Sequence, residues 1–373
     1  MKFKLLKSDH LSKFQLLHKI EKLKLSTREN KAVNADSLVF YAQDEKLYLY
    51  ISNGLSAAKI YLCPTSEDFI DFAVDCHTFT NALSNFPTDE VQFAFMEEDN
   101  QLVFGNKKTR VSLKTSKANE IKKKIDDEFF LTEDVQFKDL NVTSFLQSIK
   151  YTSFSCAPDF EEHPYSSIMF FLSKNKFNAQ SSDKHRISLY GDKFDNDQSY
   201  LINKSQADLS LNFVDKELSK FAIHKNKLLI YDGTDIFSTA LELNTFQSVY
   251  NGFQKFFESS EFITSVTLSK NELSKSLKFV FNISGSHLFN MTIQDNQLII
   301  TSSGDNSGGA ADKIQLKEAS EPINVSYLTN HFMKILDMLD VNDITLNFYE
   351  YNGFTICIVS IAHIYQHMMF PMA

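Results

Sequence analysis

One pattern recurs six times along this chain and limits the fold more than any other feature. In "VQFAFMEEDNQLVFG" (91–105) apolar residues alternate, an acidic and amide-rich turn intervenes, and the alternation resumes. That is the pattern of a β-hairpin with one buried face. Five further segments share it: "SLVFYAQDEKLYLYIS" (37–52), "IMFFLSKNKFNAQSS" (168–182), "SKFAIHKNKLLIY" (219–231), "HLFNMTIQDNQLIIT" (287–301) and "ITLNFYEYNGFTICIV" (344–359). Upstream of each lies a segment with helical spacing, beginning near Asp9, Asp75, Lys138, Asn203, Lys270 and Ser326. In "SYLTNHFMKILDML", Leu328, Phe332, Ile335 and Leu339 fall at i, i+4, i+7 and i+11, one apolar helix face. "NKSQADLSLNFV" is the weakest of the six, because its apolar residues nearly alternate and read equally as a strand.

Neither a lone helix nor a lone hairpin buries its apolar face, so two units must pack helices on sheets to make one domain. Six units then predict an α+β chain of three similar domains, a number that 373 residues accommodate. The expected domains are 1–130, 131–258 and 259–373, divided near the charged stretch "ANEIKKKIDDEFFLTEDV" (118–135) and the polar "FFESSEF" (256–262). "SSGDNSGGAADK" (302–313), rich in Gly and Ser, predicts a mobile loop within the last domain.

Composition narrows the function classes. No window approaches the ~18 apolar residues of a membrane span, and the lysine-bearing start lacks a signal-peptide core. A cytoplasmic protein with no membrane partner is expected. Cys63, Cys76, Cys156 and Cys357 form no CxxC pair, which suggests reduced thiols, not a disulfide framework or zinc site. The net charge of −9 argues against nucleic acid unless it is segregated. It is segregated: the six helical segments hold eleven Lys and Arg against seven Asp and Glu, a surplus of four, leaving −13 for the rest. Lys13, Lys24, Lys138, Lys150, Lys204, Lys275 and Lys278 are the candidate phosphate-facing residues. Lysines that simply solvate exposed helix faces explain the same count.

No catalytic residue, cofactor or metal site is expected. "SSDKHRISLY" brings Ser182, Asp183 and His185 close in sequence, but neighbours on one strand or turn point different ways, whereas a triad is assembled from separate segments. There is no Walker loop, GxGxxG, nucleophile elbow or HExxH. His363 and His367 have i, i+4 spacing, but "ICIVSIAHIYQHMMF" reads as strand, which sets them too far apart to chelate.

Taken in order, "MKF" with "DHLSK", "FAVDCHTFTNALSNFPTDEVQFAF", "NKKTRVSL", "SSDKHRISL", "INVSYLTNHFMKILDML" and the ending "MMFPMA" resemble the bacterial sliding clamps, the beta subunits of replicative DNA polymerases, over essentially the whole chain. The resemblance implies a head-to-tail homodimeric ring around duplex DNA, read without sequence preference, that tethers the polymerase and is handled by a clamp loader. It places Tyr165 with the DNA-facing lysines, and Val111, Leu113, Val280 and Phe281 at the dimer seam. It also implies a groove for short partner peptides, built from Ser182, Lys184, His185, Arg186, Ile187, Gln247, Asn251, Asn324, Tyr327, Met368, Met369, Phe370, Pro371 and Met372. Methionine suits such a wall because its flexible thioether adapts to different partners. The sequence departs from the family at Lys184, where glycine is usual, at Gln247 and Asn251, where a proline and a basic residue are expected, and at the tail, which lacks the usual Arg-Leu. The alternative is a monomeric peptide-binding scaffold of the same fold that encircles no DNA.

Overall fold

A computed structural model describes residues 2–22, 37–66, 69–130, 135–158, 165–173, 176–183, 186–192, 194, 199–214, 218–243, 255–256, 258–304, 308–317, 321–361 and 365–371. The chain forms two compact units, one of residues 1–142 and 205–242, the other of residues 143–204 and 243–373.

Unit one contains two antiparallel sheets. Its four-stranded sheet runs in the order β1 (Lys2–Leu6), β6 (Glu90–Met96), β7 (Gln101–Gly105), β8 (Arg110–Lys114). Its nine-stranded sheet runs β10 (Lys138–Asp139), β15 (Lys220–His224), β16 (Lys227–Tyr231), β17 (Ile236–Ala240), β4 (Ser56–Pro64), β3 (Lys46–Ser52), β2 (Ser37–Gln43), β5 (Phe72–Asp75), β9 (Ser116–Lys117). Helices α1 (Lys7–Lys22) and α2 (Cys76–Ser84) pack on each other through Phe14 and Phe79, whose rings meet edge-on at 5.9 Å. The phenylalanine richness of the sequence is spent here: Phe79 and Phe104 lie 5.8 Å apart, Phe93 and Phe104 5.2 Å, Phe40 and Phe72 4.7 Å, Phe72 and Phe95 4.7 Å. Each buried ring contributes roughly 1.5–3 kcal/mol.

Unit two repeats the plan. Its nine-stranded sheet runs β18 (Glu242–Leu243), β14 (Ser199–Asn203), β11 (Ser167–Ser173), β12 (Lys176–Ser182), β13 (Arg186–Tyr190), β26 (Tyr365–Met369), β25 (Phe354–Ile361), β24 (Asp343–Tyr351), β19 (Glu261–Ser269). The four-stranded sheet is β22 (Gly308–Gln315), β21 (Gln297–Gly304), β20 (Leu288–Gln294), β23 (Ile323–Leu328). Its helices are α4 (Val142–Thr152), α6 (Lys270–Ser284) and α7 (Thr329–Met338). Ser269 caps α6 through the Glu272 amide, and Gly285, at φ 61, ends it in the left-handed region that glycine tolerates best.

All six hairpins and all six helices form, but the third and sixth helices start later than the spacing suggests, at Val142 and Thr329, because Lys138 lies on strand β10 and Ser326 and Leu328 on strand β23. Four hairpins close through two-residue turns: Asp44–Glu45, Lys225–Asn226 and Asp295–Asn296 have positive φ throughout, as does Asn352–Gly353. Such turns match the twist of the strands they join. The ambiguous "NKSQADLSLNFV" is helical, α5 (Lys204–Ser210) followed by a 3-10 turn, with Ala207, Leu209 and Phe213 buried.

Two expectations are corrected. The charged stretch from 118 is not a linker over its described part: α3 (Asn119–Ile125) runs into a π-helical turn (Asp126–Phe130), and Ala118, Ile121, Ile125, Phe129 and Phe130 pack on Val39, Tyr50, Ala57 and Ala73. Their spacing is that of an amphipathic helix, hidden by surrounding Lys and Asp. Outside the undescribed 305–307, the Gly/Ser-rich 302–313 is strand, not loop, because its small side chains let α6 lie close on β22, where Ser276 Oγ donates to Asp312 at 2.6 Å.

Candidate peptide-binding cleft

The tail strand β26 is inserted between β13 and β25, with Arg186 opposite Met369, Ile187 opposite Met368, Ser188 opposite His367 and Tyr190 opposite Tyr365. Strand alternation then sorts the side chains onto two faces. On one face, Tyr365 lies 5.1 Å from Tyr151 and His367 4.9 Å from Phe154, beneath α4 and the turn that follows it. On the other, Met368 is buried among Leu189, Phe256, Ile356 and Ile358. Met368 is therefore core, not groove wall.

A cleft of about 40 Å³ opens at the end of this strand pair, lined by Arg186, Tyr327, Leu328, His331, Met369, Phe370 and Pro371. It has room for only a few waters in this form. Arg186 is 8% exposed, yet its charge is answered on one side only. Nε donates to Asp183 Oδ2 at 2.7 Å and the guanidinium lies 5.7 Å from the Phe154 ring, while Nη1 has no hydrogen-bond partner among the described residues. A buried donor without an acceptor costs about 1–3 kcal/mol, a deficit an incoming carbonyl or carboxylate removes.

Behind the arginine, His367 is fully buried, and Ser188 Oγ lies 2.8 Å from its Nδ1 and 2.6 Å from Ser155 Oγ. Burial, then the positive charges of Arg186 and His331, hold the imidazole well below its ordinary pKa, so it stays neutral at pH 7. Tyr327 is also buried and donates its hydroxyl to the Thr355 carbonyl at 3.1 Å, which fixes the floor of the cleft.

Of the groove residues named from sequence, Arg186, Tyr327, Met369, Phe370 and Pro371 come together. Ser182 does not: with Tyr165 it lines a separate small cavity alongside Met169, Gln180 and Leu201. Ile187 is half-buried, and the exposed Asn324 accepts from Asn290 at 2.7 Å. Lys184, His185, Gln247, Asn251 and Met372 lie outside the described residues, as do Lys24 and His363. Leu328 and His331, which sequence reasoning missed, flank Tyr327 in the quoted "SYLTNH" and could have been found by extending that motif one turn into α7.

Among the phosphate-facing candidates, Lys150 and Lys275 are exposed, Lys204 is half-buried, and the exposed Lys278 pairs with Asp337 at 3.4 Å. Lys138 lies on strand β10, not on a helix. Lys13 is turned inward, donating to the Tyr61 carbonyl and lying 3.8 Å from Asp235.

At the seam positions, Val111 and Leu113 are half-buried on the edge strand β8. Val280 is 1% exposed and belongs to the core with Leu273 and Leu277, so it presents nothing to a partner. Phe281 is half-buried. The exposed apolar residues of α6 are Phe279 at 50% and Ile283 at 47%, one helical turn apart.

The architecture of repeated helix-and-hairpin units with shared sheets is that of the sliding clamps of bacterial DNA replication. Across 100% of this chain it matches the DNA polymerase sliding clamp of Bacillus subtilis (TM-score 0.78, 13% identity, 99% of that chain), the Helicobacter pylori beta clamp in complex with carprofen (0.76, 16%, 100%) and the Bartonella birtlesii sliding clamp bound to griselimycin (0.77, 15%, 99%). No family model and no curated protein sequence matches the chain. At this identity the likeness establishes the fold.

Proposed function

We propose that this protein is a DNA sliding clamp: a processivity factor that closes into a ring of two chains around duplex DNA and tethers a polymerase through the cleft beside Phe370. The observation that carries the reading is the match to DNA polymerase sliding clamps over the full length of the chain at a TM-score of 0.78. Sheet organisation supports the ring. Each unit holds one nine-stranded sheet and one four-stranded sheet, and β8 and β22 are edge strands of the two smaller ones. A head-to-tail contact pairing β8 of one chain with β22 of another would join two four-stranded sheets into one of about the same width as the others. Phe279 and Ile283 on α6, which packs on β22, offer the apolar surface that such a seam needs.

In this reading the three domains are 1–130, 131–258 and 259–373, each sheet-and-helix pair contributing to the ring. Lys150, Lys275 and Lys204 attract phosphates weakly and without base preference. The protein acts in the cytoplasm as a binding factor, not an enzyme, and a clamp loader opens it. No described helix is long and apolar enough to cross a membrane. Partner peptides place an apolar side chain against Met369, Phe370 and Pro371, and Arg186 Nη1 takes a peptide oxygen. Lys184, two positions before Arg186 in the sequence, favours partners with acidic residues near the anchor.

The ring is tested by sedimentation and by retention on DNA. The protein should sediment as two chains of 42.8 kDa, remain on nicked circular duplex and leave when the circle is cut. Phe279→Asp should give single chains that circular DNA does not retain. A wild-type protein that sediments as one chain favours the monomeric scaffold, and tight binding to linear DNA that survives high salt excludes a clamp.

A further inference from the structure

On unit one, away from the cleft, two histidines and a carboxylate converge. His18 and Glu21 stand at i, i+3 on the last turns of α1, which places them on one helix face, and His77 stands in the first turn of α2. The two helices pack on each other, Phe14 against Phe79, and at this height α1 buries Leu17 and Ile20 while α2 buries Phe79 and Thr80. Glu21 Oε2 lies 3.8 Å from His18 Nδ1 and 3.7 Å from His77 Nδ1. One donor atom from each of the three residues falls within 4.8 Å of the other two.

We propose that His18, Glu21 and His77 form a binding site for a divalent transition-metal ion of the zinc type, which staples α1 to α2. Tetrahedral zinc holds nitrogen and oxygen donors at about 2.0–2.2 Å, so donor atoms sit about 3.3–3.5 Å from one another. The two His–Glu separations exceed this by only a few tenths of an ångström, within a small rotation of the side chains. Two imidazoles and one carboxylate suit zinc and neighbouring metals, not Ca²⁺ or Mg²⁺, which require mostly oxygen.

The surroundings fit a ligand set better than a surface ion pair. His18 Nδ1 is enclosed and has no hydrogen-bond partner among the described residues, so its lone pair or proton is left unanswered by the protein. His77 is backed by Asn81, whose side-chain amide lies 2.9 Å from Nε2. An amide can present either its oxygen or its nitrogen. With the oxygen facing the ring, Asn81 takes the Nε2 proton and leaves the Nδ1 lone pair directed at the cluster, the outer-shell arrangement that orients metal-binding histidines. The ring of His77 keeps 57% of its surface exposed, which leaves an entry path and a fourth position for water. The site rests on unit one alone and does not depend on the clamp reading.

The test uses the full chain, stripped with chelator and titrated with Zn²⁺ in a non-coordinating buffer by calorimetry, then with Co²⁺ by visible absorption. The expected result is one equivalent bound and not displaced by excess Mg²⁺. Cobalt should give visible bands without the sulfur-to-cobalt charge transfer that any of the four thiols would add, and zinc should raise the thermal midpoint by a few degrees. His77→Ala and Glu21→Gln should each weaken zinc at least 10-fold, and Asn81→Ala about 10-fold through the outer shell. Because His77 is exposed, His77→Ala remains informative if Glu21→Gln does not fold. Failure of the wild type to bind one equivalent, a thiolate signature with cobalt, or unchanged affinity in His77→Ala would each overturn the site.

Discussion

The two nine-stranded sheets each contain a seam where strands far apart in the chain meet, and the seams differ. In unit one, β17 pairs with β4 through Phe237 opposite Ala58, Ser238 opposite Ala57, and Thr239 opposite Ser56, whose hydroxyls meet at 2.8 Å. Alanines, serines and a threonine dominate that seam, and the six residues named are fully buried. In unit two, β13 pairs with β26 through Arg186, Ile187, Ser188 and Tyr190 opposite Met369, Met368, His367 and Tyr365. Here large and partly polar side chains must be accommodated, a charged donor is left half-answered, and a cleft remains at the strand ends. The same joint is packed shut in one place and, in the proposed reading, serves binding in the other. Fold alone does not mark which seam is functional; its side chains do.

Truncating an aromatic residue at each seam should separate the two roles. Phe237 is fully buried, so Phe237→Ala should cost about 3–5 kcal/mol, read as a lower urea midpoint, with peptide affinity per folded molecule unchanged. A shift below ~1 kcal/mol would mean that the first seam is not a packed joint. Phe370 is at the surface of the second seam. Phe370→Ala should leave the urea midpoint nearly unmoved but weaken a fluorescent partner peptide at least ~10-fold, about 1.4 kcal/mol. Equal peptide affinity in this variant would show that the cleft is not where partners bind.

The smallest effect concerns pH. Folded His367 resists protonation because it is buried and faces Arg186 and His331, whereas the unfolded imidazole titrates near its ordinary pKa of about 6.5. The unfolded state therefore gains protons first as pH falls. The stability conferred by neutral His367 is fully present above about pH 6.5 and declines below it, by at most ~1.4 kcal/mol per pH unit, until the folded pKa is reached. Urea midpoints at pH 7.5 and 5.5 should differ less in His367→Gln than in the wild type. Identical pH dependence in the two proteins would mean that other groups set the acid limit.

Hairpins and helices were legible because their periods, 2 and 3.6, survive in a single sequence, and because Asp-Glu, Asp-Asn and Asn-Gly turns announce themselves. What escaped depended on phase and neighbourhood. α3 was hidden because charged residues, seven in 118–130, outnumber the five apolar residues that face the sheet. Strand character in 302–313 was hidden because glycine, alanine and serine signal a loop when read alone, whereas here they accommodate a helix. In α6 the buried positions are Leu273, Ser276, Leu277, Val280 and Ser284, so the exposed apolar residues are Phe279 and Ile283, on either side of the Val280 and Phe281 that the resemblance suggested. Alternation likewise separates Met368 from Met369, and only the paired register tells which faces the cleft. Leu328 and His331 enter the cleft by tertiary placement, which periodicity does not encode.

The turns and the seams also set a schedule for how the chain reaches this form. A hairpin closed by two residues brings its strands together in microseconds, since almost no chain entropy is lost in closing it. The seams join residues 183 and 179 positions apart, Ser56 with Thr239 and Ser188 with His367. Those pairings must wait until the intervening hairpins have condensed and shortened the effective loop. The cleft, built at the second seam, is therefore among the last features to form, complete only when β26, the last strand in the sequence, has slotted between β13 and β25.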